Sequence, residues 1–127
     1  MLIKHKADLQ GTPRAMSTDL WSTTRFLLRE DGAGLTLTDV TIAKDDGHIY
    51  GYQHHSEVGY CLEGLATLED LATGEIHDIT PGSLWLAHKG ERFRFVALET
   101  TRLITIFTPA LVGPEVNDEN GSFPLLE

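Results

Sequence analysis

Between Gly51 and Gly64 the chain reads GYQHHSEVGYCLEG, which places two histidines, two carboxylates, two tyrosines and the single cysteine within one short stretch. An imidazole and a carboxylate are the side chains of acid–base catalysis near neutral pH, and both can hold a divalent ion. After Glu57 the apolar residues recur at Val58, Tyr60 and Leu62, which is the alternation of a strand. On a strand His55, Glu57 and Gly59 share one face and Val58, Tyr60 and Leu62 the other. His54, adjacent to His55, must then face the opposite way. If the sheet closes into a barrel, the face carrying His55 and Glu57 lines the lumen, and such a lumen is a site rather than a core.

The elements that must position these groups are short. Residues 1–16 have no clear period and read as a strand or arm followed by a loop. Ser17, Thr18 and Asp19 can each cap a short helical turn ending at Trp21, which hands over to a strand from about Thr23 to Arg29. A turn at EDGAG precedes an alternating strand from Leu35 to Ala43, and KDDG closes another turn at Gly47. Further strands are expected at Ala66–Leu71, Glu75–Ile79, Ser83–Ala87, Arg92–Ala97 and Arg102–Thr108, with Gly and Pro between them. Many short strands with no long helical period predict an all-β fold, a jelly-roll β-barrel with one short N-terminal helical turn. The last stretch, from Pro109, is too rich in Pro, Gly and Asn for regular structure and should wrap the outside or cover a barrel mouth.

Length and charge narrow the function classes. A chain of 127 residues forms a single domain, 1–127, able to bury roughly two-thirds of its unfolded surface. Cys61 stands alone, so no internal disulfide forms, and a reducing compartment, the cytoplasm, is expected. No apolar leader segment opens the sequence and no run of about eighteen apolar residues occurs, so neither a signal peptide nor a membrane span is expected. With 19 acidic against 10 basic residues the net charge is −9, which opposes binding to nucleic acid or an anionic membrane.

Two features point to a family. Glu57 followed by six residues and Gly64 matches the second half of the first cupin motif, and Pro81-Gly82-Ser83-Leu84-Trp85 matches the second motif up to its ligand position. Over nearly its whole length the chain resembles the ectoine synthase family of cupins, whose middle block reads Y-K-H-H-x-E-x-V-Y-C-x-E-G. Here Tyr52-Gln53-His54-His55-Ser56-Glu57-Val58-Gly59-Tyr60-Cys61-Leu62-Glu63-Gly64 stands in that place. The resemblance also covers Trp21 to Leu28, Pro81 to Ala87 against P-G-x-x-Y-A-L, and Phe107 to Gly121 against F-N-P-P-L-x-G-x-E-V-H-D-E-D-G.

That resemblance implies a ring closure: N-γ-acetyl-L-2,4-diaminobutyrate loses water to give ectoine. It implies iron(II) held by a glutamate, a tyrosine and a histidine. Glu57 matches the first, but Trp85 and Phe93 stand at or near the other two, and neither can bind iron. The site is therefore expected either to hold iron on Glu57 with a shifted ligand set that uses His54 or His55, or to hold none. In a working cyclase of this kind Glu57 and His55 are expected to act as acid and base. By the same resemblance Arg25 grips a ligand carboxylate with a bidentate fork, Trp21, Tyr52 and Phe107 line the cavity, and Glu115 receives an ammonium group. The partner is then a small zwitterion, and the family suggests a homodimer.

Structural readings stand beside these. Arg25 can be a surface ion pair, and Trp85 and Phe93 can be core fillers. Glu115, Asp118 and Glu119 can form a solvated acidic loop, and His5, His48, His77 and His88 can be exposed turn residues. Three functions follow: an ectoine-forming cyclase, a divergent cupin enzyme on another small amino-acid derivative, and a metal-free cupin that binds a small molecule without catalysis.

Overall fold

The period-two patterns are realised as strands throughout. The computed structural model describes residues 1–126, which build a helical turn α1 (Lys6–Leu9) and ten strands. In chain order the strands are β1 (Ala15–Ser17), β2 (Trp21–Arg25), β3 (Thr36–Ile42), β4 (His48–Tyr50), β5 (Ser56–Glu63), β6 (Ala66–Asp70), β7 (Ile76–Ile79), β8 (Leu84–Ala87), β9 (Phe93–Ala97) and β10 (Thr101–Thr108). They form two antiparallel sheets, one in the order β1-β2-β3-β10-β5-β8 and the other β4-β9-β6-β7. One apolar cluster joins them, with Trp21, Ile42, Leu103 and Phe107 from the larger sheet against Tyr50, Leu68, Phe93 and Phe95 from the smaller. Each such fully buried side chain contributes about 1.5–3 kcal/mol of burial energy. This is the expected all-β jelly-roll barrel.

The N-terminal third departs from expectation in detail. The helical turn lies at Lys6–Leu9, within the segment expected to be arm and loop. Where a capped helix was expected at Ser17 to Asp19, the chain makes a hairpin, in which the Thr18 hydroxyl accepts from the N–H groups of Leu20 and Trp21 at 3.2 Å. The N–H of Thr18 also donates to the Trp21 carbonyl at 2.7 Å. A threonine hydroxyl serves a tight turn with the same bonds that it would give a helix N-terminus, so composition alone does not separate the two. The strand consequently starts at Trp21, not Thr23, and ends at Arg25, followed by a single 3-10 turn at Arg29–Asp31. Strand β4 was not anticipated, because three residues squeezed between Gly47 and Gly51 carry no readable period.

β5 carries the alternation that the sequence showed, with Glu57, Gly59 and Cys61 buried and Tyr60 exposed. It ends at Gly64, whose φ of 104° lies in the left-handed region and where a Cβ would come within 2.6 Å of the Thr100 carbonyl. Only glycine is tolerated at such a close approach. Residues 109–126 contain no strand or helix, yet Leu111 and Phe123 are buried among them. Leu111 is tied to β3 by its N–H, which donates to Thr36 Oγ1 at 2.7 Å. The segment packs on the barrel and adds Asn117 and Phe123 to the wall of its cavity.

Candidate active site

Inward-facing residues of both sheets and of the C-terminal cover enclose one cavity. β2 contributes Trp21, Thr23 and Arg25, and β3 contributes Thr38, Val40 and Ile42 by the i, i+2 spacing of a strand. Glu57 enters from β5, Trp85 from β8, Phe93 and Phe95 from β9, and Thr105 and Phe107 from β10. Tyr52 precedes β5, while Asn117 and Phe123 come from the cover. The lining is mainly aromatic with a few convergent polar groups, the usual character of a small-molecule site.

Glu57 is the only carboxylate on that lining and is 5% exposed. The indole N–H of Trp85 donates to its Oε1 at 3.1 Å. Burial raises its pKa from 4.5 to about 7, with donors on Trp85 and Tyr52 pulling it part-way back. It thus titrates near neutrality and can both hold and release a proton. Burial likewise pushes the Tyr52 phenol far up, so that it remains neutral.

Asn117 joins three parts of the wall. Its Oδ1 accepts from the Trp21 indole at 3.2 Å, and its Nδ2 donates to the Tyr52 hydroxyl at 3.4 Å and to the Gly121 carbonyl at 3.2 Å. On the same lining, Thr38 and Thr105 share a cross-strand hydroxyl hydrogen bond.

Arg25 is 2% exposed and not a surface ion pair. Its Nη1 and Nη2 donate to the carbonyls of Gly113 and Glu115, and its guanidinium lies 5.4 Å from the centre of the Phe123 ring. Two of its five N–H groups thus hold backbone oxygens of the C-terminal cover. Nε is buried and without a partner among the described residues.

The structure thus brings Trp21, Arg25, Tyr52, Glu57 and Phe107 round one cavity, together with Trp85 and Phe93. It leaves His55 and Glu115 off the lining. His55 is buried and stands edge-on to Phe107 and Phe123, two rings that do line it. Burial lowers its pKa, against the pull of Glu115, and its Nδ1 has no protein partner. The Glu115 carboxylate accepts the N–H groups of Val112 and Gly113 at 2.8 and 2.7 Å. It is buried, unlike its exposed neighbours Asp118 and Glu119, so the solvated-loop reading fails for Glu115 alone. His54, His5, His48, His77 and His88 are exposed. Asn117 and Phe123 were not legible as lining residues, since the cover has no periodicity from which to infer a face. Thr38 and Thr105 were recoverable from strand alternation.

A first-row divalent ion does not fit this donor set. Around Glu57 stand an indole that only donates, the phenyl rings of Phe93 and Phe95, and a neutral phenol. No group of three His, Cys, Asp or Glu side chains with ligand geometry occurs among the described residues.

The family model described as "Ectoine synthase" matches residues 1–127. The chain is similar to the L-ectoine synthase of Mycolicibacterium vanbaalenii, 34% identical over 124 residues that cover 98% of this chain and 95% of that protein. The crystal structure of ectoine synthase from P. lautus superposes with a TM-score of 0.87 at 35% identity, covering 99% of this chain and 91% of the other. An RmlC-like cupin from Shewanella frigidimarina aligns with a TM-score of 0.62 at 20% identity over 76% of this chain and 83% of its own, a likeness of fold alone.

Proposed function

This chain belongs to the ectoine synthase family and is an ectoine synthase-type cupin, and we propose that its barrel cavity closes N-γ-acetyl-L-2,4-diaminobutyrate into ectoine with loss of water. The α-amine attacks the acetamide carbonyl carbon and a C–N bond forms. The C–O bond then breaks, and the oxygen leaves as water with the two hydrogens of the amine. Such a reaction needs a held carboxylate end, a proton for the departing oxygen and a dry pocket.

The single observation that carries this reading is the convergence of Trp21, Arg25, Tyr52, Glu57 and Phe107 on one cavity. Glu57 passes protons from the attacking amine to the departing oxygen and ends in the protonation state in which it began, because it is the one lining group that exchanges a proton near neutral pH. The free Nε–H of Arg25 takes the carboxylate of the zwitterionic substrate, and Trp21 and Phe107 wall it in. His55 and Glu115 act as positioning residues from outside the lining: His55 packs on Phe107 and Phe123, and Glu115 clamps the loop that fixes Arg25. No step is assigned to iron.

A homodimer is supported by the outer face of the larger sheet. Opposite pairs Tyr60 with Leu84 and Val58 with Leu86, flanked by Ile104 and Ile106, make a continuous apolar surface. The lone, buried Cys61 suits the cytoplasm, and no helix among the described residues is long and apolar enough to cross a membrane. Purified protein incubated with N-γ-acetyl-L-2,4-diaminobutyrate, with ectoine followed by NMR, tests the function. Unchanged substrate after prolonged incubation refutes it.

A further inference from the structure

Resting on the ring-closing reading above, we propose that this chain works without a resident metal ion, because Gly59, Trp85 and Phe93 together fill the ion-holding corner of the family with an indole whose N–H is the partner of Glu57.

Gly59 and Trp85 are direct cross-strand partners on β5 and β8. The indole lies flat against β5, so a Cβ at Gly59 would come within 2.1 Å of Cζ2 and 2.3 Å of Cε2. No atom pair packs so closely, and the indole can occupy this place only over a glycine. The family pattern has valine where Gly59 stands and tyrosine where Trp85 stands. A valine at 59 and the indole as placed cannot coexist, so the two departures are one change of packing rather than two independent losses.

Phe93 and Phe95 complete it. Their rings lie 6.4 and 5.6 Å from the indole centre and close the corner from the opposite sheet. A cation approaching Glu57 would have to displace the N–H contact on Oε1 and would then meet ring carbons, with no further anionic donor on the lining. The N–H dipole takes over the task of holding the buried carboxyl in place, which makes Trp85 a positioning residue. Because the departing water takes its hydrogens from the amine, the net reaction consumes no oxidant, reductant or cation.

The test is to purify the full chain with chelator, offer iron(II) without air, and measure metal content, Tm with and without iron, and turnover of N-γ-acetyl-L-2,4-diaminobutyrate with and without chelator. Metal far below stoichiometric, an unmoved Tm and chelator-insensitive turnover are expected. About one tightly held iron per chain with chelator-sensitive turnover overturns the proposal. No turnover in either preparation, with no iron bound, refutes the ring-closing reading while upholding the metal-free pocket. In reverse, the combined variant Gly59→Val, Trp85→Tyr, Phe93→His should gain about one iron per chain and a Tm that rises with iron. A folded triple variant that still takes none shows that these residues are not what keeps the ion out, and the assignment falls.

Discussion

Arg25 and Glu115 lie buried in contact, yet the guanidinium bonds the Glu115 backbone carbonyl, at 2.6 Å, and not its carboxylate. The carboxylate turns instead to the N–H groups of Val112 and Gly113. The loop from Val112 to Glu115 is thereby clamped twice, once through its carbonyls by Arg25 and once through its N–H groups by Glu115. Neither clamp uses Arg25 Nε, which is buried without a partner among the described residues. Charge neutrality is kept by proximity, and Glu115 opposes the downward pull of burial on the Arg25 pKa.

Glu115→Gln should therefore act in two ways. An amide can accept only one of the two N–H groups and turns its own donors toward the other, leaving a buried group unsatisfied at a cost of about 1–3 kcal/mol. Thermal unfolding should show that loss. Because the loop sets the direction of Arg25, KM for N-γ-acetyl-L-2,4-diaminobutyrate should rise more than kcat falls. A variant as stable as the parent with an unaltered KM contradicts the double clamp.

How far the sequence foretold this site depended on periodicity. Strand alternation placed Glu57 and Gly59 inward correctly and made Thr38 and Thr105 recoverable. The hairpin at Thr18 was misread because a threonine hydroxyl bonds a turn and a helix terminus alike. Asn117 and Phe123 belong to a segment with no period, where position is set by contacts distant in sequence. The bonds of Arg25 to the carbonyls of Gly113 and Glu115 depend on a loop 88 residues away that no local pattern reveals. The Gly59–Trp85 contact is likewise a tertiary fact, readable only once β5 and β8 are in register.

Glu57 sets a pH dependence of stability. Its folded pKa of about 7 lies above the unfolded value of 4.5, so the folded state favours the protonated form. A raised carboxyl contributes fully below the unfolded pKa, and that contribution is lost as pH rises through the folded one. Between these values the loss is on the order of 3 kcal/mol, read from a shift of between two and three pH units. Glu57→Gln should abolish this slope in Tm against pH and lower kcat by about 100-fold or more. A mutant retaining the parental slope would mean that another group titrates.

The acid limb belongs to Asp31. Arg14, bonded at 2.8 Å, holds its carboxyl well below the usual range, helped by Lys4 at 3.1 Å and by the Leu28 N–H at 2.9 Å. A depressed carboxyl pKa contributes stability above its unfolded value of 3.8 that drains as pH falls below it. Asp31→Asn should cost about 2 kcal/mol at neutral pH and much less at strongly acid pH, where the parent has lost the same bonds. Urea unfolding at both pH values measures the difference, and an equal cost at each contradicts the charge-assisted account.

The apolar outer face of β5, β8 and β10 makes the last prediction. Leu84 is 63% exposed on the edge strand and pairs with Tyr60, whose other neighbour across the sheet is Ile104. A chain of net charge −9 repels its own copies, so association has to come from a patch without charge. Burying such a face in a dimer removes apolar area from water at about 25 cal/mol per Å². Leu84→Glu places a carboxylate within the patch, and a twofold interface brings two of them into it at once. Light scattering after size exclusion should find the parent dimeric and the variant monomeric, with the barrel intact by circular dichroism. Because Leu84 faces away from the cavity, turnover per chain should persist in the monomer. A parent that runs as a monomer at high concentration removes the dimer.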